Sequence, residues 1–121
     1  MFRVIIAGGR DYNDYNELKR ICDHMLQNQS DITIVSGKAR GADTLGEWYA
    51  KERGYPIQEH PANWDKYKKK AGSIRNEEMA QNADALIAFW DGESYGTGHM
   101  IKIAKQYNLK VKTHIYLTNH N

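Results

Sequence analysis

Arg10, Arg40 and Arg75 are the side chains best suited to chemistry here, because a guanidinium grips phosphate oxygens bidentately. Arg10 follows Gly8-Gly9 and precedes Asp11-Tyr12. Arg40 stands with Lys38 in Val35-Ser36-Gly37-Lys38-Ala39-Arg40-Gly41-Ala42-Asp43, and Arg75 stands beside Asn76. A further small-residue stretch, Gly96-Thr97-Gly98, lies towards the C-terminus. Glycines let backbone approach a ligand closely, although each also suits a tight turn. Asp43 reads either as a hydrogen-bond acceptor for a ribose hydroxyl or as a helix-cap carboxylate, and Thr97 as a phosphate ligand or an N-cap. Tyr12, Trp90 and Tyr95 are candidates to stack on a base.

These loops are useful only if the chain brings them to one place. Phe2–Ala7 and Ala85–Trp90 are apolar enough to be strands buried on both faces of a parallel sheet. Ile32, Ile34 and Val35 make a third such strand, stopped by Ser36-Gly37. Behind it Ala42, Leu45 and Tyr49 fall on one helical face, and Gly54 sits where a left-handed C-terminal cap belongs. A helix N-terminus placed directly after the loop offers free N–H groups and the positive end of its dipole to an anion. Asp14 and Glu17 have capping-box spacing ahead of a stripe of Tyr15, Leu18, Ile21, Cys22, Met25 and Leu26. Tyr55–His60 is a weaker strand suited to the sheet edge. Pro61–Gly72 is irregular, and Ser73 is placed to cap a helix over Ile74–Asn82. Asp91–His99 reads as a glycine-rich loop before a helix with Met100, Ala104 and Tyr107 in step. Val111–Leu117 alternates as a half-exposed last strand.

Alternating strands and helices predict an α/β fold: a three-layer Rossmann-like sandwich on a five-stranded parallel sheet, in order 3-2-1-4-5. In such a sheet the ligand lies at the carboxyl ends of the strands, beside the switch between the first and fourth. All three glycine-bearing loops leave strands at that end.

The 121 residues predict one domain over 1–117, with 118–121 as tail. At 40% hydrophobic and 26% charged residues the composition is that of a globular protein. A net charge of +2 is too small to call for nucleic acid or membrane as partner. The apolar N-terminus is too short for a spanning helix and lacks a signal-peptide pattern. Cys22 lies on an apolar stripe and reads as a buried thiol, which fits a cytoplasmic setting. The five histidines show no ligand spacing with each other or with Cys22, so they read as surface imidazoles, with no metal site and no cofactor expected. Gly8-Gly9-Arg10 is not the G-x-G-x-x-G fingerprint, Ser36-Gly37-Lys38-Ala39 is not a P-loop, and no G-x-S-x-G elbow occurs.

Gly8-Gly9-Arg10-Asp11-Tyr12, Val35–Asp43, Arg75-Asn76 and Gly96-Thr97-Gly98 together resemble the SLOG superfamily, most closely its small stand-alone YspA-type branch related to the circularly permuted YpsA proteins. The resemblance runs roughly from Arg3 to Ile115. It implies a Rossmann-like domain for nucleotides or nucleotide-derived ligands such as ADP-ribose or NAD derivatives. The superfamily's Lonely Guy phosphoribohydrolases carry P-G-G-x-G-T-x-x-E with an Arg on the preceding helix. Gly96-Thr97 and Arg75 match that pattern, whereas Glu93-Ser94 replaces the glycine pair and Met100 replaces the glutamate. A thioether cannot do a carboxylate's work in N-glycosidic cleavage. The superfamily's DNA-processing protein A branch binds single-stranded DNA, and Trp64–Lys70 offers aromatics and cations to suit.

The expected ligand site is Gly8, Gly9, Arg10, Asp11, Ser36, Gly37, Lys38, Arg40, Gly41, Asp43, Arg75, Asn76, Gly96, Thr97 and Gly98, holding a small phosphate-bearing nucleotide in a sensor, carrier or sequestering protein. Nucleotide hydrolysis and single-strand binding are the alternatives. Trp64 and Tyr67 suit a ligand lid or a subunit contact, as in a homodimer or homotetramer.

Overall fold

β-branched and aliphatic runs become the sheet, and the positions between them become its covering helices. In the computed structural model, which describes residues 1–118, the strands are β1 (Phe2–Gly8), β2 (Ile32–Ser36), β3 (Ile57–Glu59), β4 (Ala85–Trp90) and β5 (Lys110–Ile115). They form one parallel sheet in the order β3-β2-β1-β4-β5, as the sequence predicts. The topological switch therefore falls between β1 and β4, at the sheet's centre.

The helices are α1 (Tyr15–Leu26), α2 (Ala42–Arg53), the single-turn α3 (Trp64–Tyr67), α4 (Ala71–Gln81) and α5 (Tyr95–Gln106). Alternate residues of the central strands face opposite layers. Val4, Ile6, Ile34, Ile87 and Phe89 meet Leu18 and Cys22 of α1 and Leu45 and Tyr49 of α2. Ile5, Val35, Leu86 and Ala88 meet Met79 of α4 and Met100 and Ala104 of α5. Each fully buried aliphatic or aromatic side chain contributes about 1.5–3 kcal/mol, and these two layers hold the strand ends in register. Among the described residues, no helix is long and apolar enough to cross a membrane.

Asp14 caps α1 by accepting from the Glu17 N–H at 3.0 Å, and Gly54 ends α2 at φ 75°. Several boundaries differ from expectation: the strand expected over Tyr55–His60 shortens to Ile57–Glu59, and the stretch Pro61–Gly72, expected to be irregular, carries α3 and the start of α4. β5 stops at Ile115, leaving Leu117 exposed. The helix expected at Ile74 begins at Ala71 instead, because a 3-10 turn over Lys68–Lys70 feeds straight into it and no side-chain cap is needed. The glycine-rich loop ends at Ser94 rather than His99. The Asp91 carboxylate accepts from the N–H groups of Glu93 and Ser94 at 2.9 and 2.8 Å, and this turn starts α5 at Tyr95. Gly96, Thr97 and Gly98 are thus helical, and Thr97 lies inside the first turn rather than at its N-cap. The tail predicted over 118–121 lies, from residue 119 onward, outside the described residues.

Candidate functional site

The carboxyl ends of β1 and β4 and the start of α2 meet at Gly8 and Gly9. A Cβ on Gly8 would collide with the Phe89 carbonyl and lie 2.8 Å from the Ala42 Cβ, so only hydrogen fits. Gly9 N–H donates to Phe89 O at 3.0 Å, and Ala42 N–H donates to Gly9 O at 3.1 Å. Gly41 adopts φ 74°, a conformation L side chains resist, and a Cβ there would collide with Gly9 and Arg10 backbone. The first glycine loop and the α2 N-terminus are therefore one unit, and Arg10 is carried out from it into solvent.

The β2–α2 loop is held by two buried carboxylates. Ser36 Oγ donates to Glu47 Oε2 at 2.7 Å and accepts from Lys38 N–H at 3.2 Å. Lys38 Nζ reaches Glu47 Oε1 at 2.9 Å and Glu59 Oε2 at 3.2 Å. Burial opposes the charge on Glu47, but the Ser36 hydroxyl and Lys38 ammonium outweigh it and hold the carboxyl below its ordinary range. Asp43, the second carboxylate, is 5% exposed. It accepts from Ala39 N–H at 3.3 Å and from the Gly8 N–H. Desolvation dominates nonetheless and pushes Asp43 up to about 6, against the pull of those N–H groups and of Arg75.

Arg75 comes from α4 and lies across the gap. Its Nη1 donates to Gly37 O at 2.6 Å and its Nε to Asn76 Oδ1 at 3.1 Å. A Cβ on Gly37 would come within 3.0 Å of Arg75 and 2.9 Å of Asp43, so that glycine makes room for both. Burial and the nearby Arg10 lower the Arg75 pKa, while Asp43 opposes the drop. Buried Asn76 in turn contacts His99 Nδ1 at 3.1 Å and Gly96 O at 3.5 Å, tying α4 to the first turn of α5.

Two clefts result. The first, of about 440 Å³, is lined by Gly8, Gly9, Arg10, Asp11, Asp43, Arg75, Asn76, Gly96 and Thr97 from the expected set. The second, of about 360 Å³, takes Gly37, Lys38 and Arg40 and shares Arg10 and Arg75. Ser36, Gly41 and Gly98 line neither. Ser36 serves Glu47, Gly41 the α2 turn, and Gly98 leaves room for the Trp90 ring, which would lie 3.1 Å from a Cβ there. Lys38 is already committed to Glu47 and Glu59. By contrast, among the described residues the side chains of Arg10 and Arg40 have no ion pair or hydrogen bond.

Sequence reasoning left Asp91, Ser94, Met79 and Met100 out of the expected ligand set, although they line the first cleft, and assigned Trp64, which lines the second, to a lid or a subunit contact. It also passed over Glu47, whose one signal was its place one helical turn beyond Asp43. Two of the three proposed stacking rings are structural instead. Tyr12 is buried, donates to Glu17 Oε1 at 2.8 Å and packs on Phe89 and Tyr116. Trp90 spends its N–H on Ser94 O at 2.9 Å. Tyr95 remains exposed, stacked on His99. The histidines are not uniformly surface groups: His114 lies 3.0 Å from Glu17, and the Nε2 of His60 is buried without a hydrogen-bond partner among the described residues.

The family model for the YspA, cpYpsA-related SLOG family matches residues 2–67, which carry both the first glycine loop and the Ser36–Asp43 turn. The chain belongs to this family. Gene 61 protein of Mycobacterium phage D29 is 33% identical over 118 residues, covering 92% of this chain and 94% of that protein. Among solved structures, DNA processing protein A from Streptococcus pneumoniae superposes with a TM-score of 0.74 at 17% identity. That alignment covers 93% of this SLOG chain and 49% of the other, so the chain spans about half of its length, and the likeness is one of fold.

Proposed function

We propose that this SLOG chain binds a phosphate-bearing nucleotide or nucleotide-derived ligand, of the ADP-ribose or NAD-derivative kind, as a sensor, carrier or sequestering protein. The observation that carries the reading is the pair Arg10 and Arg75 at one cleft mouth over a buried carboxylate, Asp43. The guanidiniums suit phosphate oxygens, and Asp43 and Asn76 suit sugar hydroxyls. Met79 and Met100 supply apolar wall for a base. The first turn of α5 adds N–H groups with no partner inside the helix, and Gly96 has open space where a Cβ would be. Met100 is buried and brings no carboxylate to the place where a phosphoribohydrolase would need one, so binding without cleavage is favoured.

A thermal-shift panel tests this. ADP-ribose or a related phosphate-bearing nucleotide raises the melting temperature and the matching nucleoside does so far less. Ligand at a hundred times its Kd adds about 2.7 kcal/mol. No shift across nucleotide mono- and diphosphates, cyclic nucleotides and ADP-ribose overturns the reading. Ribose 5-phosphate released from AMP and lost in Arg75→Ala would make the protein a hydrolase.

Exposed Trp64 and Tyr67 with Lys68–Lys70 favour a second reading, single-stranded nucleic-acid binding, in keeping with the name of the DNA processing protein A neighbour. Such binding through lysines weakens steeply with salt, and a strand retained at moderate salt would put this reading first.

A further inference from the structure

The two clefts are lined differently. The first mixes Arg10 and Arg75 with the carboxylates of Asp11, Asp43 and Asp91. The second carries Arg10, Lys38, Arg40 and Arg75 and no carboxylate. Arg10, Ala39 and Arg75 line both, so the cavities meet across a ridge made of two guanidiniums. At about 440 and 360 Å³, each is the size of a small-ligand site by itself.

The outer wall of the second cleft is Pro61, Ala62 and Trp64. Trp64 is 51% exposed, a large apolar area left in water. It is nevertheless held in place. The Asn63 side chain accepts from Lys66 N–H at 3.1 Å and caps the single turn of α3. A Cβ on Gly72 would lie 3.6 Å from the Trp64 ring and 3.8 Å from Arg75 Nη2, so ring and guanidinium share the bare backbone there. An aromatic face therefore stands beside the cation ridge, and Arg40, on the same cleft, has no partner of its own among the described residues.

We infer that the second cleft is a second-nucleoside subsite. The ligand is two nucleosides joined through phosphate, with the bridge on the Arg10–Arg75 ridge, one nucleoside in the first cleft and the other base stacked on Trp64. Arg40 holds the bridge from the second side. This rests on the reading of the first cleft as a nucleotide site. The bridge is a diphosphate in a free dinucleotide or a phosphodiester in a single strand, and both present the same anion between two rings.

Calorimetric titration of wild type, Trp64→Ala and Trp64→Phe tests it with three probes: AMP, diadenosine diphosphate and the single-stranded dinucleotide pApA, repeated in the guanine series. In wild type a bridged probe binds about ten- to a hundredfold tighter than its mononucleotide, the gain of one stacked base. Trp64→Ala brings that ratio to near one, and Trp64→Phe restores most of it. Preference for diadenosine diphosphate assigns a free dinucleotide, and preference for pApA that strengthens with strand length assigns nucleic acid; either upholds the subsite. A wild-type ratio near one, or a ratio unchanged in Trp64→Ala, overturns it while leaving the first cleft's nucleotide reading intact. If no mononucleotide or bridged probe binds, both fall together.

Discussion

The Ser36–Asp43 turn and the Pro61–Lys70 segment line the same cleft and both carry cations, yet they are built in opposite ways. In the turn, buried Glu47 and Asp43 take up Ser36, Lys38 and the Ala39 N–H, so its backbone is fixed from below. In the segment, Lys68, Lys69 and Lys70 are exposed, and order comes from one cap at Asn63 and a 3-10 turn. A cation's role thus depends on what already neutralises it. Lys38 is spent on structure, the lysine run is spent on water, Arg75 ties α4 to Gly37, and among the described residues Arg10 and Arg40 carry no ion pair or side-chain hydrogen bond.

The sharpest way to break this contrast is at the backbone. Gly41→Ala forces a side chain into φ 74° against Gly9 and Arg10, and it lowers stability by about 3 kcal/mol or more. Gly72→Ala, in α4 beside the looser segment, meets only ordinary contacts and changes stability by less than about 1 kcal/mol, in the stabilising direction. Chemical denaturation of both variants checks the pair, and equal losses would erase the distinction.

Removing the group that the two regions share comes next. Arg75→Ala takes a charge-assisted contact worth about 1.5–3 kcal/mol from both clefts, so nucleotide affinity falls roughly ten- to a hundredfold by calorimetry.

Asp43 tests the buried side of the contrast through pH. Its folded pKa of about 6 stands above the ordinary 3.8, so the folded chain holds more protons than the unfolded one between those values. Stability from this group is full below pH 4 and is lost as pH rises through 6, by about 1–3 kcal/mol. Asp43→Asn lacks that slope, so its melting temperature gains on wild type between pH 4.5 and 7.5. A difference between the two that does not change with pH would show Asp43 to be solvated.

The smallest effect belongs to the exposed side. Lys69→Ala changes nucleotide affinity by less than about threefold at physiological salt, whereas Arg40→Ala costs about tenfold. Equal losses would make the attraction diffuse rather than a site.

The sheet was legible because each central strand is a short run of β-branched or aliphatic residues that must be buried on both faces, and such runs alternate with helical stripes. Glycines at strand ends were legible for the same local reason. Tyr12 was not: its place after a glycine loop suggests a free ring, but β5 brings Tyr116 across to cover it. Nor was Lys38, whose partners Glu47 and Glu59 lie on α2 and β3, nine and twenty-one residues further on.

By itself, the sequence determined the strand order, the three loops at the carboxyl ends and the family, because hydrophobic period, turn chemistry and motif spacing are local properties. Only the tertiary structure decided which charges survive at the site. Pairing and desolvation depend on what packs within a few ångströms: Asp43 is pushed up by burial, Lys38 is neutralised from two elements, and Arg75 reaches Gly37 from thirty-eight residues away. The division of the site into a mixed cleft and a cationic one follows from those contacts, and no spacing along the chain encodes it.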